Sequence, residues 1–208
     1  MISVESLLGV ALISLGMVLT PGPNMVYLTS RTLSQGRLAG LISLTGVALG
    51  FLCYMFASAL GLAALFEAVP IAYDVIRIAG AIYLGYMAWN MIRPNGHSLF
   101  EARKLAPHSS QRLFAMGLVT NLLNPKIALM YSALIPQFID VTAGSTLTQF
   151  IQLGLVQIAI AVTINGMIVL AASSISELLA RRPSAIRTQR LLSGSVLSFF
   201  SLDLLLRR

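Results

Sequence analysis

Charge is scarce in this chain: charged residues make up 10% of it, and only 7 of its 208 residues are acidic. A soluble domain of that length needs a charged surface that this sequence does not carry, so an ordinary water-soluble fold is excluded. Cysteine occurs once, as Cys53, a lone thiol in an apolar stretch that reads as inert. Histidine is almost as rare. His97 and His108 both lie in a polar stretch, without the spacing of metal ligands, and no metal or other cofactor is expected. No histidine stands inside an apolar segment, no acidic pair is spaced for one helix face, and no Gly-x-Ser-x-Gly turn occurs. Hydrolysis, phosphoryl transfer and metal chemistry lack their groups, so no catalytic residue is assigned and an enzyme is not expected.

What the chain has is apolar length. It is 57% hydrophobic with a mean hydropathy of +0.84, and residues 6–30, 38–66 and 141–176 are free of charge. Each run exceeds the roughly 20 residues that a helix needs to cross a bilayer. Helices are expected at 6–30, 38–65, 72–92, 112–138, 147–178 and 186–206. The fold class is therefore an all-α integral membrane protein of about six transmembrane helices, with the lipid bilayer as its solvent. Glu5 stands where a secretory signal would carry basic residues, so the first segment is read as a retained helix.

The net charge of +7 would suggest nucleic acid if the chain were soluble, but the basic residues are distributed otherwise. Arg31 and Arg37 fall in one loop, Arg93, Arg103, Lys104 and Arg112 in a second, and Arg181, Arg182, Arg187 and Arg190 in a third. Basic residues in alternate loops mark the cytoplasmic side. Both termini are then outside, with Glu5, Glu67, Asp74, Asp140 and Asp203 on the outer side. No aromatic residues are interleaved for base stacking, and nucleic acid is excluded as a partner.

Residues 94–111 form the most polar stretch and divide the chain into a first unit at 1–93 and a second at 112–208. At an offset of 104, Pro21 falls on Pro125, Tyr27 on Tyr131, Gly50 on Gly154 and Arg77 on Arg181. Three helices per half is an odd number, so the halves are expected as two inverted three-helix repeats. Small residues four apart, at Gly36 and Gly40, Gly46 and Gly50, and Ala57 and Gly61, permit close helix contact. That contact is either internal packing or a homodimer face.

The first helix of each half is broken by proline. Pro21 and Pro23 cannot donate to the carbonyls of Met17 and Leu19, Gly22 weakens the helix between them, and Pro125 and Pro136 leave the carbonyls of Asn121 and Ser132. Freed carbonyls in hydrocarbon survive where they face protein, water or a polar solute. Beyond each break a half-helix can restart, with Asn24 or Asn124 in its first turn and amide hydrogens that attract a carboxylate. Lys126 lies near the middle of its segment, where an ammonium costs about 2.5 to 3.5 kcal/mol on insertion scales. It either snorkels to the interface or pairs with backbone carbonyls, or it lines a polar cavity and receives an anion.

The motif from Thr20 to Asn24, followed by residues 34–40 and Gly46 to Gly50, resembles the first half of the LysE/RhtB family of amino-acid exporters. The stretch from Asn121 to Lys126, with residues 134–138, is similar to its second half, and residues 80–86 are similar to its third helix; the final helix, with Asp203, fits less well. The resemblance implies a six-helix protein of the bacterial cytoplasmic (inner) membrane that exports amino acids or close derivatives, with a coupling proton. The alternative is a membrane-embedded accessory or assembly subunit. A zwitterionic substrate needs two complementary sites. Half-helix amides and Lys126 suit its carboxylate, and the freed carbonyls with the amide oxygens of Asn24 and Asn124 suit its ammonium. The expected substrate-binding set is thus Pro21, Gly22, Pro23, Asn24, Asn121, Asn124, Pro125 and Lys126, with Tyr27, Tyr131 and Asn165 gating or lining the path.

Overall fold

A computed structural model describes residues 2–68, 78, 81–86, 88, 89, 92, 93, 106–180 and 183–206. Helix α1 spans Val4–Leu19 and is started by Ser3, whose side chain accepts from the Ser6 amide at 3.0 Å. It stops before Pro21, as the missing amide requires. Helix α2 (Pro23–Gln35) opens with proline at its first position, where no amide is needed, and closes at Gly36. Gly36 has φ +91°, a left-handed conformation open to glycine at little cost. Helix α3 follows at Arg37–Ala68.

The second half repeats this order. Helix α4 (Ser110–Leu122), capped by Ser109, breaks before Pro125, and α5 (Pro125–Leu129) restarts the chain. A π turn at Met130–Leu134 and a 3₁₀ turn at Ile135–Phe138 continue it. The irregularity has a cause in Pro136, which has no hydrogen for the Ser132 carbonyl; the Ile135 amide instead reaches back to Met130. Helices α6 (Thr146–Ala180) and α7 (Pro183–Leu206) complete the chain. The axes of α1 and α2 meet at 51°, and α4 meets the segment Pro125–Phe138 at 50°.

Two helices, within Arg37–Gly61 and Thr146–Ala172, are long and apolar enough to cross a bilayer, and each bent pair qualifies as a third or fourth span. The described residues thus supply four spans at most where six were expected. The expected helix at 72–92 lies mostly outside them, although residues 81–86 are helical. The expected helix at 186–206 exists as α7, but it is not among the spans that qualify by length and composition, and its first turns are polar, with Arg187 and Arg190.

Burial differs from that of a soluble protein. Leu8, Leu12 and Leu19 of α1 are exposed, whereas Ser14, Asn24, Asn121, Asn124, Lys126 and Asn165 are buried within an otherwise apolar core. An apolar exterior with polar groups kept inside fits lipid as the surrounding solvent. Gly46 and Gly50 of α3 serve internal packing, whereas nothing lies within 4 Å of a Cβ on Gly61. A Cβ on Gly46 would strike the Phe114 carbonyl of α4, and one on Gly50 would lie 2.6 Å from Asn121 Oδ1. Gly117 of α4 meets the Ser43 backbone in the same way, so the two helices touch backbone to backbone.

The end of α2 is tied to the start of α4. Gln35 donates to the His108 carbonyl (2.6 Å) and accepts from the His108 amide (2.9 Å), while Arg31 donates to the Ala106 carbonyl (3.1 Å). The first and second basic regions therefore share one side of the molecule. Arg31 is a correction to the sequence reading, since it sits inside α2 with its guanidinium buried rather than in a loop. On the other side Phe138 packs against Gly9 near the start of α1. Asp140 follows there, and hydrogen bonds from the Thr142 hydroxyl and amide hold its carboxyl below the usual range.

Candidate functional site

The two breaks face each other across the molecule, and Lys126 joins them. Thr20 ends α1 in an extended conformation and Gly22 precedes α2 with no side-chain cap, so the chain between the half-helices runs straight. The carbonyls of Met17 and Thr20 are thereby released. The ammonium of Lys126 donates to both, at 2.8 and 2.7 Å. The Met17 carbonyl is one that the proline at 21 was expected to free; its companion is Thr20 rather than Leu19. Gly22 lies directly against this contact, because a Cβ there would stand 3.0 Å from the Lys126 nitrogen.

At the second break the backbone satisfies itself. Asn124 caps α5 by accepting from the Lys126 amide at 3.1 Å, and its own amide donates to the Asn121 carbonyl at 3.0 Å. The expected acceptors there are consequently occupied: neither the Asn121 carbonyl nor the Asn124 side-chain oxygen is free for an ammonium. Nδ2 of both Asn121 and Asn124, and Oδ1 of Asn121, are buried without a partner.

A cavity of about 20 Å³ lies between the breaks and α6, lined on its polar side by Ser14, Asn24, Lys126, Gln157 and Asn165, with Phe51 on its apolar side. This is room for about one or two waters. An amino acid does not fit the cavity as it stands here. Within it Ser14 Oγ and Asn24 Oδ1 are buried and unpartnered. Unsatisfied buried polar atoms cost about 1–3 kcal/mol each, so these two call for a polar partner.

Of the residues expected from sequence, Asn24, Lys126 and Asn165 line this cavity. Pro21, Pro23 and Pro125 shape the breaks that border it, and Asn121 and Asn124 stand behind. Tyr131 is one step removed, fully buried, donating to Gln157 (2.5 Å) and stacked on Tyr54 with ring centres 5.9 Å apart. Tyr27 does not line the cavity; its hydroxyl donates to the Leu113 carbonyl of α4 (2.7 Å) and accepts from Ser43 of α3 (3.1 Å). Ser14 carries no motif. Only its spacing of three from Met17, on one face of α1, hints that it shares the site. Among the described residues no cluster of metal-binding side chains occurs.

The family described as LysE type translocator matches residues 15–208, which include both breaks and every residue lining the cavity except Ser14. The chain belongs to the LysE type translocator family. That family is described as one of translocators, not of enzymes. A leucine efflux protein of Enterobacter sp. (strain 638) is 34% identical over 143 residues, 64% of this chain and 64% of that protein. A leucine efflux protein of Salmonella typhi is 32% identical over 133 residues, 64% of this chain and 63% of that one. The chain thus matches just under two thirds of the length of these relatives. No solved structure matches it. For a LysE type translocator, the paired breaks joined by one buried lysine are the natural place to look for the transported solute.

Proposed function

We propose that this translocator exports amino acids, leucine or apolar amino acids like it, from the bacterial cytoplasm across the inner membrane, driven by the proton gradient. The observation that carries the reading is the Lys126 bridge. One buried ammonium and two freed carbonyls meet at the junction of two broken helices, and a zwitterion needs both signs of partner there. The substrate's carboxylate takes Lys126 and the uncapped first turn of α2, at Asn24 and Met25 beside the cavity. Its side chain takes the apolar wall at Phe51. The repeated order of elements and the matched bends of 51° and 50° support two inverted three-helix repeats around this site.

Cells fed a leucine-containing dipeptide and making this protein should excrete leucine several-fold faster than cells without it. Equal rates in the two strains, for leucine and for every other apolar amino acid tried, would remove the proposal. Orientation has its own test. A reporter active only in the cytoplasm should work when inserted near Asn95 and stay silent when fused after Arg208; activity at the C-terminus would overturn the topology.

A further inference from the structure

We propose that the Met17 and Thr20 carbonyls form a seat for a primary ammonium group, which Lys126 fills here and the substrate's own α-ammonium takes over during transport. The inference rests on the amino-acid export proposed above and adds how the site opens and which ligand group it demands.

The seat is built of neutral acceptors. Met17 and Thr20 offer carbonyls at 2.8 and 2.7 Å from the Lys126 nitrogen, and Ser14 Oγ and Asn24 Oδ1, both buried and unpartnered, line the same cavity. No carboxylate is among the residues that line it. Dipoles of this kind hold an ammonium without trapping it, because no ion pair has to be broken when one cation replaces another. Two ammonium groups cannot share two carbonyls. The substrate and Lys126 therefore compete, and the space left beside the bound lysine is too small for any amino acid.

Displacement also gives Lys126 its second task. Its stem is flexible, and its tip lies against Gly22, where the missing Cβ leaves the ammonium a path along the backbone. Once off the carbonyls, the lysine is a buried cation in need of an anion, and the substrate that displaced it brings a carboxylate. Return of Lys126 to its seat then expels the ammonium of the product and closes the cavity. The seat admits a compound with a free primary ammonium and rejects one whose nitrogen is acylated.

The test uses the purified full-length chain and two halves of the substrate: 3-methylbutylamine, which has the ammonium alone, and 4-methylpentanoate, which has the carboxylate alone. Calorimetric titration should show the amine binding at least about tenfold more tightly to Lys126→Met than to wild type, because the resident cation is gone. The carboxylate should bind more weakly to the variant. Lys126→Gln, which is one atom shorter and keeps a neutral donor, is measured beside it and should move both probes in the same directions. Equal amine affinity in wild type and in whichever variants fold would overturn the exchange. If amine binding is unchanged while wild type still exports amino acids, only the exchange falls. If amine binding tightens yet no amino acid is exported, the seat stands and the export reading falls.

Discussion

Replacing Pro21, Gly22 and Pro23 together by alanine is expected to abolish export while the protein stays in the membrane at its normal level. Each proline disfavours a continuous helix by about 3 kcal/mol and the glycine by about 1, so their removal favours fusing α1 and α2 by several kcal/mol. A fused helix would draw the Met17 and Thr20 carbonyls back into its own ladder, since residues 21 and 24 would then supply the amides they lack. Lys126 would lose both acceptors at once. Straightening the 51° bend would also move α2 off α6, which forms the opposite wall of the cavity. Efflux from loaded cells, set against the amount of protein in the membrane, reads the outcome. Normal export by a well-inserted triple variant would make the break incidental.

Lys126→Met is expected to lower the maximal rate by about ten- to a hundredfold, because the return of the ammonium to its carbonyls is what drives product off. Charge-assisted hydrogen bonds of this kind are worth about 1.5–3 kcal/mol, and each 1.4 kcal/mol is a factor of ten. KM should not rise in proportion, since the carbonyls would hold the substrate's ammonium without a competitor. Wild type should prefer an amino acid to its amide, which lacks the carboxylate charge that Lys126 meets; in the variant that preference should vanish. Lys126→Arg should recover only part of the rate, because a planar fork presents its donors differently from a compact ammonium. An acid-to-amide preference that survives in Lys126→Met would remove Lys126 from the carboxylate site.

Much of this architecture was legible because membrane physics writes itself plainly into sequence. Charge-free runs gave α3 and α6 to within a few residues, and the prolines at 21, 23 and 125 fixed where the first helix of each half would break. Lys126 stood out because a mid-membrane ammonium has to find a partner. Which partner was not legible. The reading left carbonyls and a substrate anion open, and in the structure the carbonyls hold it. That contact spans 109 residues of chain and depends on how the half-helices are rotated, which periodicity does not encode. For the same reason Tyr27 and Tyr131, equivalent by their offset of 104, have different surroundings. Tyr131 reaches Gln157 at the cavity, whereas Tyr27 is bonded to α4 at Leu113. Arg31 was assigned to a loop because charge usually marks one. Here its guanidinium is buried against the 106–108 segment.

The most direct test of the central claim, that the joined breaks carry an amino acid across the membrane, is accumulation of labelled leucine and a panel of other amino acids in inverted vesicles containing only this purified protein. With an inward proton-loaded lumen, wild-type vesicles should accumulate at least one apolar amino acid well above empty vesicles, and Lys126→Met vesicles should do so about ten- to a hundredfold more slowly. Accumulation of no amino acid by wild-type vesicles, or equal rates in the two proteins, would contradict the account.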